Sequence, residues 1–318
     1  MSVAAAAWRR AMNGCSIRRM RYLAVACILS APVVSAQAPP STDVYLARLI
    51  RSQGRLTLGA VRNVTRRAGY DNQPAFSTDS RTLYFTSNRG DAQTDIWQID
   101  LATLRERRRT RTPESEYSPA ITPDGRSLSV VRVERDSTQR LWRFPLDGGR
   151  PCLVLDRARP VGYYAWANDS TVAMFVLGRP ASLQVGNVDA NRVDTVALSI
   201  GRSLHRIPGT TTISYVDKAD SATWWIRSLD PISRHTSQLA PLPPGVEDYV
   251  WTPRGEIVTS DGARSILVWQ PKRDEPNYAV WRSIGAIDST IAGKITRLAI
   301  SPNGRYIAIV AEPTHKEP

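Results

Sequence analysis

Apolar and polar positions alternate over short runs along most of this chain, and one unit keeps returning. Gln73-Pro74-Ala75-Phe76-Ser77-Thr78-Asp79-Ser80 leads into a strand-like run from Thr82 to Ser87, and Asn88-Arg89-Gly90 then turns the chain. Thr94 to Leu101 reads as a third strand. The pattern resumes with Ser118-Pro119-Ala120-Ile121-Thr122-Pro123-Asp124-Gly125, Ser127 to Val133 and Leu141 to Leu146. Further copies begin at Tyr163, Leu204, Tyr249 and Leu298, the fourth being the most degraded. Period-two alternation with β-branched and aromatic residues predicts strands, and no helical periodicity persists through any unit.

Each copy carries one large apolar anchor: Phe76, Ile121, Trp166, Ile207, Trp251 and Ile300. The anchors recur about every 41–49 residues, the period of a four-stranded propeller blade. Pro-Asp-Gly or Pro-Asn-Gly after an anchor makes a tight turn, with glycine available for positive φ. The sixth copy supplies only two strands, between Ile295 and Ala311. Asp43 to Leu49 aligns with Asp95 to Leu101, and Leu56 to Val64 can supply an outermost strand. The expected fold is therefore all-β: a six-bladed β-propeller of four-stranded blades, the last closed by N-terminal strands. Closure leaves no sheet edge open at the junction. The expected organisation is a signal peptide over 1–36, a linker over 37–42, the propeller over 43–312 and a flexible tail over 313–318.

Composition agrees with a globular β protein: 42% of residues are hydrophobic and 22% charged, enough to bury a core. Arg18, Arg19 and Arg21 precede an apolar run from Tyr22 to Val34, and Val34-Ser35-Ala36 supplies small residues before a cut. That order is a secretory signal, and its apolar run is shorter than the ~20 residues of a membrane span. Met20 offers a second start. Arg18-Arg19 keeps a twin-arginine route open, and Cys27 a lipoprotein anchor. The expected location is the periplasm or outside the cell, with no transmembrane span in the mature chain. The formal charge is +13, and about +8 remains after the expected cut. A basic cluster of Arg105, Arg107, Arg108 and Arg109 is expected in a loop, without the interleaved aromatics that stack on bases. A solvated arginine-rich surface explains the charge better than nucleic acid. Cys152 is the one cysteine beyond the cut, expected as a small buried hydrophobe with no disulfide partner.

Pro74 through Asp100, and again Pro119 through Trp142, resemble the WD40-like repeat of the TolB propeller domain. The shared features are a proline before the inner strand, a Ser-Pro-Asp-Gly-type turn, Phe85-Thr86-Ser87-Asn88-Arg89 and Asp95-Ile96-Trp97. The second and sixth copies match at the turn; the third to fifth depart from it. The resemblance covers about Asp43 to Glu312. It implies the fold and leaves function open, and the additional N-terminal α/β domain of TolB is not expected here.

In a propeller the inner strands line an axial funnel. Aligning the copies places Asp71, Glu116, Tyr163, Tyr164, His205, Glu247, Asp248, Tyr249 and Arg297 there, with Gln73, Pro74 and Ser118 nearby. Acids, aromatics and a base together suit a polar binding pocket. The same residues in a purely structural role would hold water and neighbouring blades. His205 reads more readily as a satisfied structural residue than as a general base, and Glu247 with Asp248 fall short of the six to eight oxygens of a calcium site. The sequence has no G-x-S-x-G elbow, no H-E-x-x-H and no glycine-rich phosphate loop. No catalytic residue, metal ligand or cofactor is assigned. The expected role is a non-enzymatic binding or scaffold propeller that engages a peptide or an envelope protein at the funnel. A funnel enzyme (lyase, lactonase or glycosidase) and a purely structural envelope module stand as alternatives.

Overall fold

A computed structural model describes residues 40–89, 93–270 and 280–314. The expected signal peptide lies outside them. The chain begins with β1 (Asp43–Ser52) and β2 (Arg55–Asn63). The first blade follows as β3 (Asp71–Phe76), β4 (Thr82–Ser87), β5 (Asp95–Asp100) and β6 (Glu106–Arg108). The second is β7 (Ser115–Ile121), β8 (Ser127–Val133), β9 (Gln139–Pro145) and β10 (Cys152–Leu153). The third is β11 (Val161–Trp166), β12 (Thr171–Val176), β13 (Ser182–Asn187) and β14 (Arg192–Leu198). The fourth is β15 (Ile200–Arg206), β16 (Ile213–Asp217), β17 (Trp225–Leu229) and β18 (Thr236–Pro241). The fifth is β19 (Tyr249–Trp251), β20 (Ile257–Ser260), β21 (Ser265–Gln270) and β22 (Val280–Ala286).

The last blade joins the two ends of the propeller. Its strand order is β23 (Ala292–Ile300), β24 (Tyr306–Pro313), β1, β2. β1 pairs antiparallel with β24 from Asp43↔Ala311 to Arg48↔Tyr306, so the expected N-terminal closure is realised. The molecule is a six-bladed β-propeller.

Alternation within the second strand of each blade explains how the ring holds. On β12, Val172, Met174 and Val176 point toward the second blade, while Ala173 and Phe175 point toward the fourth. On β24, Ile307, Ile309 and Ala311 face the fifth blade, while Ala308 and Val310 face the first. Such strands are apolar on both faces, which is why they read as nearly continuous hydrophobic runs. Every seam between neighbouring blades accordingly owns one apolar cluster.

The turn after the inner strand is a local polar device. Thr122 Oγ1 donates to Asp124 Oδ1 at 2.6 Å, the Arg126 N–H donates to the same oxygen at 3.0 Å, and Gly125 takes a φ of +71°. Ser301, Asn303 and Gly304 repeat the arrangement. These bonds hold the Asp79 and Asp124 carboxyls below the usual carboxylate range, the Ser77 and Thr122 hydroxyls contributing most.

Two expectations are corrected. Cys152 is exposed, because β10 is only two residues long and its edge faces solvent. The arginine cluster is only partly a loop: Arg105 and Arg109 lie outside any strand, but Arg107 and Arg108 belong to the outer strand β6, where Arg108 pairs with Asp95 at 2.6 Å.

Candidate functional site

The third residue before each anchor is Gln73, Ser118, Tyr163, Leu204, Asp248 or Arg297, and all six line one axial cavity of about 280 Å³. Their convergence has a local cause. The inner strands slip register between Asn72 and Ala75, Tyr117 and Ala120, Val161 and Tyr163, Ile200 and Leu204, and Ile295 and Arg297. A bulge of this kind re-aims a side chain out of the sheet. Gln73 and Ser118 adopt left-handed backbone, with φ of 54° and 52°, a conformation that non-glycine residues rarely take. Gln73 Oε1 ties these two blades together, accepting from the Ser118 N–H at 2.7 Å and from Thr86 Oγ1 at 2.8 Å.

Arg297 spans the axis from the last blade to the third. Its Nη2 donates to the Tyr163 hydroxyl at 3.3 Å, and its guanidinium lies 4.9 Å from the centre of that ring. Its Nε donates to Asn72 Oδ1 at 3.2 Å, and Nη1 stands 3.9 Å from Asp248 Oδ1. Asp248 Oδ2 accepts from the Leu298 N–H at 2.7 Å. Burial raises Asp248 to about 6, with Arg297 and Arg202 opposing. Burial alone would raise Tyr163 too, but Arg297 and Arg202 together bring it below the ordinary tyrosine value. His205 Nε2 lies 3.1 Å from Ser203 Oγ, and its ring meets Tyr249 edge-on at 4.9 Å. Burial lowers His205 to about 4, so it is neutral at physiological pH.

Of the expected funnel residues, Tyr163, Tyr164, His205, Asp248 and Arg297 line this cavity. Four others lie outside its lining. Asp71 is buried against Arg67 at 2.9 Å, and burial raises its pKa despite that partner and Ser87. Glu116 is buried against the Thr112 hydroxyl and near Arg132, with burial pushing it up to about 7. Glu247 accepts from the Arg202 backbone N–H and faces Lys218 at 3.6 Å. Tyr249 turns into the seam with the fourth blade, where its hydroxyl meets Ser214 Oγ at 2.8 Å. Each of these four lies at or near the start of an inner strand, and one position along a strand reverses the face a side chain takes.

Arg202 was not expected. It lies five residues before its anchor, and the long register slip between Ile200 and Leu204 carries it into the cavity wall. Period-two counting from Ile207 cannot place a residue across an irregularity of that length. Among the described residues, no three His, Cys, Asp or Glu side chains converge as a metal site would need. None of the helices long and apolar enough to cross a membrane occurs among them either.

No protein-family model matches the chain, and no curated protein matches its sequence. Solved structures do match in shape. A TolB-type protein of Agrobacterium tumefaciens superposes with a TM-score of 0.65 at 13% identity, over 85% of this chain and 98% of that one. A gluconolactonase of Xanthomonas campestris gives a TM-score of 0.58 at 12% identity, over 87% and 98%. An oligogalacturonate lyase of Vibrio parahaemolyticus gives 0.55 at 16% identity, over 80% of each chain. Identities this low show the fold alone. The neighbours include both TolB-like propellers and propeller enzymes, as expected of a fold that hosts many functions.

Proposed function

We propose that this protein is an exported binding propeller whose axial cavity engages a segment of a peptide or of a cell-envelope protein in the periplasm. One observation carries the reading. Arg297 reaches across the axis to Tyr163 and leaves a wall of two arginines, aromatic and small polar groups, and a single acid. A wall of this composition recognises a polar segment. It lacks the paired carboxylates that glycoside hydrolysis uses, since Asp71, Glu116 and Glu247 are each turned to partners of their own.

The test is capture from envelope extract by the mature chain, compared with a Tyr163→Ala, Asp248→Asn double variant. Both positions line the cavity, whereas Tyr164, which also borders it, and Tyr249 hold seams through buried hydroxyls and would confuse binding with folding. Capture by the wild type that the variant loses supports the reading. A partner retained by both points to a lateral scaffold face instead.

A funnel enzyme is favoured only by Asp248, raised to about 6, sharing the cavity with neutral His205. Turnover of a sugar lactone or an oligouronide that Asp248→Asn abolishes would establish that reading and displace ours.

A further inference from the structure

The cavity wall is unbalanced in charge. Among the described residues, the Arg202 guanidinium has no hydrogen bond and no ion pair, and its Nε is buried. Arg297 commits Nε to Asn72 and Nη2 to Tyr163, while Nη1 stands 3.9 Å from Asp248, beyond hydrogen-bond length. Among the described residues Asp248 is the one acid on the wall, and its Oδ2 is occupied by the Leu298 N–H. Glu247 does not line the cavity and is held by the Arg202 backbone and Lys218. His205 adds no charge at neutral pH. Two permanent cations thus face one carboxylate. A guanidinium whose Nε is buried without a partner carries a desolvation cost, and its planar fork is shaped to accept a carboxylate or a phosphate.

We propose that the cavity takes a carboxylate, held by Arg202 and by the Nη1 side of Arg297, on a compact polar group seated against Tyr163. This rests on the reading of the axial cavity as a binding site. The volume of about 280 Å³ is at the small end of ligand pockets and suits one amino-acid residue or one sugar ring. The excess of a single positive charge favours a monoanion. A phosphate dianion would meet Asp248 and the nearby Glu247 with a second negative charge. A peptide's terminal carboxylate and a sugar acid share this chemistry.

Titration calorimetry at pH 7 and low salt separates these cases with two acid–neutral pairs: N-acetylglycine with N-acetylglycinamide, and D-glucuronate with D-glucose. The expected result is that one acid binds at least about ten-fold more tightly than its neutral counterpart. Arg202→Gln should erase that preference, and Arg202→Lys should keep part of it. The pair that shows the preference identifies the source. Because the Arg202 side chain makes no hydrogen bond or ion pair among the described residues and its backbone bond to Glu247 survives the substitution, circular dichroism and melting of Arg202→Gln should match the wild type. Equal binding of acid and neutral forms, no acid binding at tens of millimolar, or a preference that survives Arg202→Gln overturns the proposal. If the acids fail while envelope capture still depends on Tyr163 and Asp248, the binding site stands and only the carboxylate assignment falls.

Discussion

Tyr163 and Tyr164 are neighbours on β11, yet they belong to two different regions. Tyr163 faces the axis, where it is only partly buried and leans on a guanidinium from the opposite blade. Tyr164 faces the seam with the second blade, where its hydroxyl lies 2.9 Å from both the Ser118 carbonyl and Ser129 Oγ. Trp166, two residues on, donates its indole N–H to the same Ser129 at 3.0 Å. The fifth blade repeats the device: Tyr249 and Trp251 both reach Ser214 Oγ at 2.8 Å, and Ser214 in turn donates to the His205 carbonyl. In these seams every polar atom named has a partner within the protein. In the axial cavity Arg202 Nε has none. The difference teaches where to look for function, since buried polar groups in a folded protein are normally satisfied and an exception needs an outside explanation.

The comparison breaks most sharply if the two kinds of tyrosine are interchangeable. Tyr249→Ala empties a fully buried site and should cost about 3–5 kcal/mol in denaturant unfolding. Tyr163→Ala loses one edge-on contact with Phe175 and the Arg297 stack, and should cost only about 1–2 kcal/mol while removing binding. Equal losses would mean the axial cavity is one more structural seam.

A smaller effect sharpens the seam side. Ser214→Ala leaves the Tyr249 hydroxyl and the Trp251 indole without their shared acceptor, and should destabilise by roughly 1–3 kcal/mol. Trp251→Phe in the Ser214→Ala background should then cost less than it does alone, because the orphaned donor is already present.

A further effect lies in the cavity and appears as a slope with pH. Asp248 rises from 3.8 to about 6 on folding, so the native state binds its proton more tightly than the unfolded chain. Its favourable contribution is full below about pH 4 and is lost as pH rises toward 6. Asp248→Asn should therefore gain stability relative to the wild type across that interval and hold a constant difference above it. Melting temperatures of both proteins between pH 4 and 7 check this. A difference independent of pH would show that Asp248 sits in an ordinary solvated setting.

The repeat was legible because each blade must solve the same problem with the same means. An apolar anchor, a Thr- or Ser-led turn and a doubly apolar second strand recur wherever a blade packs between two others, so Phe76 to Ile300 could be counted directly. The fourth blade was hardest to read, since Ile207-Pro208-Gly209 lacks the Pro-Asp-Gly turn and the slip between Ile200 and Leu204 is longer than those of the other inner strands. Tyr163, Tyr164, His205, Asp248 and Arg297, two or three residues before their anchors, line the cavity, whereas Tyr249, also two before its anchor, turns into a seam. Asp71 and Glu116 lie five before, beyond the bulges, and Glu247 four before, ahead of β19, and proximity in sequence did not carry them to the axis.

Sequence alone determined the blade number, the closing strands and the polar character of the inner strands, because those follow from local periodicity and from the need to leave no sheet edge open. Tertiary structure decided which polar residues face the axis and which find partners. That choice depends on slips of one or two residues in strand pairing and on side chains meeting across the ring, such as Arg297 and Tyr163, which are 134 residues apart. No local pattern encodes a contact of that separation.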